Sequence, residues 1–101
     1  MILEAANLVV RAGEEAAFES AMAQAAPVIA GAAGYVGHEV QRSIETPGRY
    51  LLLVQWETLE AHTVGFRGSP AFAEWRTLIS PFFASPPVVE HYESVLEWPV
   101  L

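Results

Sequence analysis

The hydrophobic pattern of the chain is most unusual at residues 49–56, RYLLLVQW, where Leu51, Leu52, Leu53 and Val54 follow one another without a polar residue. A strand with one wet face alternates; an unbroken apolar run reads as a strand covered on both faces. MILEAANLVV reads as a first strand of the same kind, with Ile2, Leu8 and Val10 on one face and Leu3 and Val9 on the other, ended by RAG. The stretch from Gly13 to Gly34 then changes period. Phe18, Met22, Ala25 and Ile29 recur at spacings of four, three and four, one face of a helix. Gly13 is placed to cap that helix, Glu14 and Glu15 suit the positive end of its dipole, and Pro27 marks a kink or its late turn. GYVGHEVQRSIE reads as a second strand, with Pro47-Gly48 turning the chain into the third. Thr58 caps a short helix LEAHTVGF, and Ser69-Pro70 opens a further helix, PAFAEWRTLIS, that Pro81 closes. PFFASPP is a loop, and VVEHYESVLEW a last strand.

The order strand, helix, strand, strand, helix pair, strand is that of a single α+β domain over residues 1–101, a ferredoxin-like βαββαβ arrangement with a four-stranded antiparallel sheet and its helices on one face. The helices leave the second sheet face bare, yet the strands are apolar there too. A second copy of the same sheet, packed face to face across a two-fold axis, is the simplest cover. A homodimer through the helix-free face is therefore expected.

Composition narrows the partners. The chain carries 12 Glu and 5 Arg, with neither Asp nor Lys, for a net charge of -7. No basic run is present to hold a phosphate backbone or an anionic lipid surface, so neither nucleic acid nor membrane is an expected partner. The absence of Cys removes disulfides, thiolate nucleophiles and cysteine metal sites. Without a signal-peptide pattern or a spanning apolar stretch, a cytoplasmic protein is the expectation.

The stretch YLLLVQWETLEAHTVGFRGSPAFAEWR, preceded by GHEVQRSIETPGR and followed by PFF and VEHYE, resembles the antibiotic biosynthesis monooxygenase family of dimeric α+β barrel proteins. The likeness runs from AAN in the first strand to the last strand. It implies a range of activities: cofactor-free oxygenases of aromatic polyketides and quinols, haem-degrading enzymes, and members without assigned activity. The family's strand-one asparagine lines the pocket, and the resemblance carries that role to Asn7. Asn7 is the one amide on a strand otherwise apolar, and its face, with Leu3, Ala5 and Val9, is expected to lie toward the helices.

Two departures count against haem degradation, which stays a minor third option. Phe66 stands where the haem degraders have tryptophan, and Arg76 where they bring an axial histidine. His62 and Phe66 are four apart and share a helix face, and His62 is a candidate proton acceptor. Phe72, Trp75 and Ile79 form a second stripe, read either as core or as an aromatic wall. Arg76 can stabilise a phenolate or pair with a glutamate at the surface, and Tyr92 can supply a hydroxyl to the same cavity. His38 and His91, beside Glu39 and Glu90, lack paired-ligand spacing, so no metal site is expected.

Two readings of function follow. The first is a cofactor-independent monooxygenase acting on a small aromatic quinol, anthrone or polyketide-like molecule, needing neither metal nor flavin. Phe66, Phe72, Trp75 and Tyr92 then bind substrate, His62 is the base, and Asn7 and Arg76 are the donors where charge develops. The second is a non-catalytic dimer of the same fold that binds an apolar metabolite or serves a stress response, its cavity filled by its own side chains.

Overall fold

The computed structural model describes residues 1–100. Four strands, β1 (Ile2–Val9), β2 (Tyr35–Arg42), β3 (Arg49–Trp56) and β4 (Val88–Glu93), form one antiparallel sheet in the order β2-β3-β1-β4. Helix α1 (Glu15–Ala30) connects β1 to β2; a π-helix (Ala61–Phe66), helix α2 (Pro70–Ile79) and a 3₁₀ turn (Ser80–Phe82) connect β3 to β4. This is the ferredoxin-like α+β fold expected from the order of periods. The last strand is shorter than its apolar pattern implies: it ends at Glu93, and Val95, Leu96, Trp98 and Val100 are exposed beyond it.

The sheet has two unlike faces. On the helix side lie Glu4, Ala6 and Leu8 of β1 and Tyr50, Leu52, Val54 and Trp56 of β3, all buried. Strand parity puts Leu3, Ala5, Asn7 and Val9, with Leu51, Leu53 and Gln55, on the other face, which no helix or strand of the described residues covers. The run LLLV is thus shared between the core and the open face. Asn7 is exposed there, opposite the side expected from sequence, because the inward set of β1 is the one containing Leu8 and Val10.

The face of α1 anticipated from spacing is the buried one: Phe18, Met22, Ala25 and Ile29 all enter the core. Phe18 is fully buried against Tyr50, with ring centroids 4.8 Å apart, and against Phe82 and Phe83. Pro27 falls near the end of the helix, which runs on to Ala30, and Glu14 rather than Gly13 stands at its N-terminal boundary. The hydroxyl of Tyr50 donates to Glu19 Oε2 at 2.7 Å, and Arg42 reaches the same oxygen at 2.9 Å, so one exposed carboxylate joins α1 to two strands. Burial, followed by the Glu19 carboxylate, pushes the Tyr50 hydroxyl up to about 12.

Thr58 does cap the segment after β3, its Oγ1 accepting the Ala61 N–H at 3.1 Å, but the turns that follow are wide. The Arg67 N–H reaches back five residues to the His62 carbonyl at 3.0 Å, the π-helical pattern. Pro70 begins α2 as anticipated, whereas the Ser69 hydroxyl donates backwards to the Phe66 carbonyl at 2.7 Å instead of capping the helix. After α2, backbone bonds from Arg11 to Phe82 and from Ala84 to Val9 tie the loop to the end of β1.

Gly48 closes the β2–β3 turn with φ +80, and a Cβ there would lie 2.9 Å from the Val10 carbonyl oxygen, a backbone atom of a residue whose own N–H bonds the Gly48 carbonyl at 2.8 Å. Gly48→Ala therefore combines backbone strain with a backbone clash. It should cost about 1–3 kcal/mol, read as a lowered urea midpoint with an unchanged slope.

Candidate functional site

Between the helix side of the sheet and the π-helix–α2 segment lies a cavity of ≈ 250 Å³. Its wall is aromatic because two short elements turn three rings inward. Phe66 ends the π-helix, Phe72 and Trp75 lie on one side of α2, and the Phe66 ring meets both edge-on at 5.5 and 6.3 Å. His38 of β2 backs Trp75 from outside, edge to face at 6.3 Å, and is itself held by the Tyr35 hydroxyl.

At the β1 end of the cavity the apolar lining stops at a cluster of polar groups that are almost wholly buried. Glu4 is 5% exposed and His62 3%. The Trp56 indole N–H donates to Glu4 Oε1 at 3.0 Å, and His62 Nε2 lies 3.3 Å from the same oxygen. The His62 ring is stacked on Trp56, with centroids 5.2 Å apart and planes 15° from parallel. On its far side His62 Nδ1 meets His91 Nε2 of β4 at 2.7 Å. Burial pushes the Glu4 carboxyl above its ordinary range, against the opposing pull of the Trp56 N–H and Arg67. Burial, then the Arg67 charge and His91, lowers His62 to about 4, and His91 is lowered by burial and Arg67. Both imidazoles are therefore neutral at pH 7.

The two arginines at the cavity do different things. Arg67, which follows the π-helix, supplies the positive charge felt by Glu4 and both histidines. Arg76 is exposed at the rim, its guanidinium 5.8 Å from the Phe72 ring centroid. The carboxylate and two imidazoles form a chain, not a cage. Among the described residues no three such groups converge on a point that could hold a metal ion.

Of the residues singled out from sequence, the structure brings His62, Phe66, Phe72, Trp75 and Arg76 to one cavity. It does not bring Asn7 or Tyr92 there. Asn7 is on the open face, and Tyr92, paired with Leu3, is half-exposed on that same face. Strand parity turns its neighbour His91 inward instead, so the β4 side chain at the site is an imidazole rather than a phenol. Glu4, His91 and Arg67 were not anticipated. A signal for Glu4 was present: it is the one charged residue within β1, at the same parity as Leu8.

A family model for antibiotic biosynthesis monooxygenases matches residues 1–78. The uncharacterized protein YczJ of Bacillus subtilis (strain 168) is 48% identical over 95 residues, covering 94% of this chain and all of that one. A crystal structure from Bordetella bronchiseptica, described as a candidate antibiotic biosynthesis monooxygenase, superposes with a TM-score of 0.91 at 48% identity, covering 94% of this chain and 97% of that one. SnoaB of Streptomyces nogalater, a cofactor-independent oxygenase, superposes with a TM-score of 0.80 at 20% identity over 98% of this chain and 97% of that one, a likeness of fold.

The lowered His62 predicts a pH dependence of stability. Between its ordinary value of 6.5 and about 4 the unfolded chain binds a proton that the folded chain does not. Stability contributed by neutral His62 is thus lost on acidification, an effect that raised Glu4 partly offsets because it binds its proton more readily when folded. His62→Gln cannot titrate and should lose roughly 1–3 kcal/mol less than the native chain between pH 7 and pH 4.5, measured by urea unfolding followed through tryptophan fluorescence.

Proposed function

The chain belongs to the antibiotic biosynthesis monooxygenase family, and we propose that it oxygenates a small aromatic hydroxyl compound, a phenol, quinol or anthrone of one to three rings, with dioxygen and without a metal or flavin. One observation carries this reading: an aromatic-walled cavity that ends in a buried carboxyl–imidazole cluster. Its size supports a compact substrate, since ≈ 250 Å³ lies below the range of pockets that hold drug-sized ligands. Phe66, Phe72 and Trp75 stack on the flat ring system, and the polar cluster takes the hydroxyl proton. Arg67 and Arg76 offset the negative charge that develops. A phenolate can pass one electron to dioxygen, and the two radicals join at a ring carbon. The peroxide then loses water to leave a carbonyl. The substrate supplies every electron, so no outside reductant enters.

The open sheet face belongs to the same reading. Leu3, Leu51, Leu53 and Tyr92 present an apolar surface that a second copy of the sheet covers, giving a homodimer whose cavities each lie within one subunit. Leu53→Arg should yield monomer or unfolded chain, read by light scattering at micromolar concentration, because an unpaired charge buried in such an interface costs about 3–5 kcal/mol. A native chain that is monomeric under the same conditions removes the dimer.

Activity is tested by oxygen uptake with a panel of anthrones, naphthols and quinols, with chelator present and no flavin. Uptake above the background rate, with one oxygen atom from ¹⁸O₂ in the product, is the expected outcome. Tight binding of the panel without uptake would replace the enzyme with a ligand-binding protein of the same fold.

A further inference from the structure

We infer that the proton acceptor of this cavity is Glu4 rather than His62, and that His62 and His91 are positioning residues that hold Glu4 ionised with one oxygen turned to the bound hydroxyl; the inference rests on the aromatic-hydroxyl reading above. Both ring nitrogens of His62 already face protein side chains. Nδ1 lies 2.7 Å from His91 Nε2, Nε2 faces Glu4 Oε1 at 3.3 Å, and one face of the ring is stacked on Trp56. Glu4 differs: both of its contacts fall on Oε1, and the residue lines the cavity, so Oε2 remains for an occupant.

The direction of the hydrogen bonds follows from the one donor that has no choice. The Trp56 indole can only donate, which makes Oε1 an acceptor. With Glu4 ionised, the tautomer that suits the 3.3 Å contact carries its proton on His62 Nε2, close to the carboxylate, so His62 Nδ1 accepts and His91 supplies Nε2–H. This arrangement leaves both imidazoles neutral. The charged and titratable groups around Glu4 come from every packed element: His62 and Arg67 from the π-helix segment, His91 from β4, and Arg76 at the rim from α2. Arg67 favours the carboxylate over a charged imidazole.

The chemistry closes on this one carboxylate. The substrate O–H bond breaks and its proton forms an O–H bond on Glu4. The phenolate gives an electron to dioxygen, and the phenoxyl and superoxide radicals couple through a new C–O bond. The resulting peroxide anion takes the proton back from Glu4. Cleavage of the O–O bond releases hydroxide, which joins the proton lost from that carbon as water and leaves the carbonyl. Glu4 returns to its starting state with no proton drawn from solvent, in keeping with its burial.

The test needs no turnover in its first part. In ¹⁵N,¹³C-labelled native protein at pH 7, His62 should show a protonated Nε2 and bare Nδ1, with scalar coupling through the hydrogen bond to His91 Nε2, and the Glu4 carboxyl carbon should be that of an ion. Under nitrogen, 2-naphthol should shift the Glu4 carboxyl carbon more than either His62 nitrogen. His62→Leu should raise the Glu4 midpoint by about one to two units, and His91→Ala by a few tenths of a unit. In the second part, kcat/KM for an oxidised panel compound should rise with pH through the Glu4 midpoint and move with it in both histidine variants. Glu4→Gln should lose on the order of 10²–10⁴ in rate while still binding 2-naphthol. A His62 found protonated at Nδ1, a naphthol response centred on His62, or a Glu4→Gln variant with native rate overturns the inference. Absence of oxygen uptake alongside the expected spectra removes the oxygenase reading and leaves Glu4 as the ionised acceptor of the bound hydroxyl.

Discussion

A carboxyl group removed from water must find donors, and the placement of Glu4 on the dry side of β1 imposes that demand on three other parts of the chain. β3 answers with the Trp56 indole N–H, the π-helix sets His62 3.3 Å from the same oxygen, and β4 places His91 behind it. These residues are far apart in sequence, Glu4 and Trp56 being separated by 52 positions. The cluster therefore forms only when β1 is paired on both sides and the π-helix has docked. Losing any one member leaves a buried polar atom of another without a partner, the costly half of the hydrogen-bond balance. Site and fold are in this sense one cooperative object.

The second polar junction of the molecule behaves differently. Glu19 also gathers donors from two strands, Tyr50 and Arg42, but its carboxylate and the arginine are exposed. Tyr50 lowers the Glu19 carboxyl first, burial opposes it, and Arg42 adds to the lowering. Water screens the ion pair, so its contribution is modest. Its role is to seat α1 on the sheet, where Phe18, Met22, Ala25 and Ile29 stabilise the packing by burial.

Much of this architecture was legible in the sequence because it rests on period. The helical stripe of α1, the double-sided apolar run of β3 and the Ser69-Pro70 start each obey a local rule, and the family resemblance agrees with all of them. The aromatic wall was legible for the same reason, since Phe66 lies at helical spacing from His62 and Phe72 at helical spacing from Trp75. The polar end of the site was not, because it depends on strand parity and cross-strand register. Asn7 drew attention as an amide on an apolar strand, yet Leu8 and Val10 set the inward phase, and that phase selects Glu4. Likewise Tyr92 and His91 are adjacent in β4, and one step of parity exchanges a phenol for an imidazole at the cavity. The wide turn after β3 gave no local signal, its residues being compatible with an ordinary helix.

That wide turn has a consequence for how the site tolerates changes in chain length. A π-helix accommodates more residues per turn than an α-helix, and four steps from His62 bring Phe66 back over the same line, so that both rings lie against Trp56 at 5.2 and 5.7 Å. Loss of a single residue between them would let the segment tighten to α-helical geometry, in which the two rings, now three residues apart, stand about 60° from alignment. Phe66 of the cavity wall and His62 of the polar cluster would then be offset from each other over the Trp56 ring. Length in this six-residue segment is therefore constrained more tightly than composition: exposed Val64 has room to vary, but the number of residues from His62 to Phe66 does not.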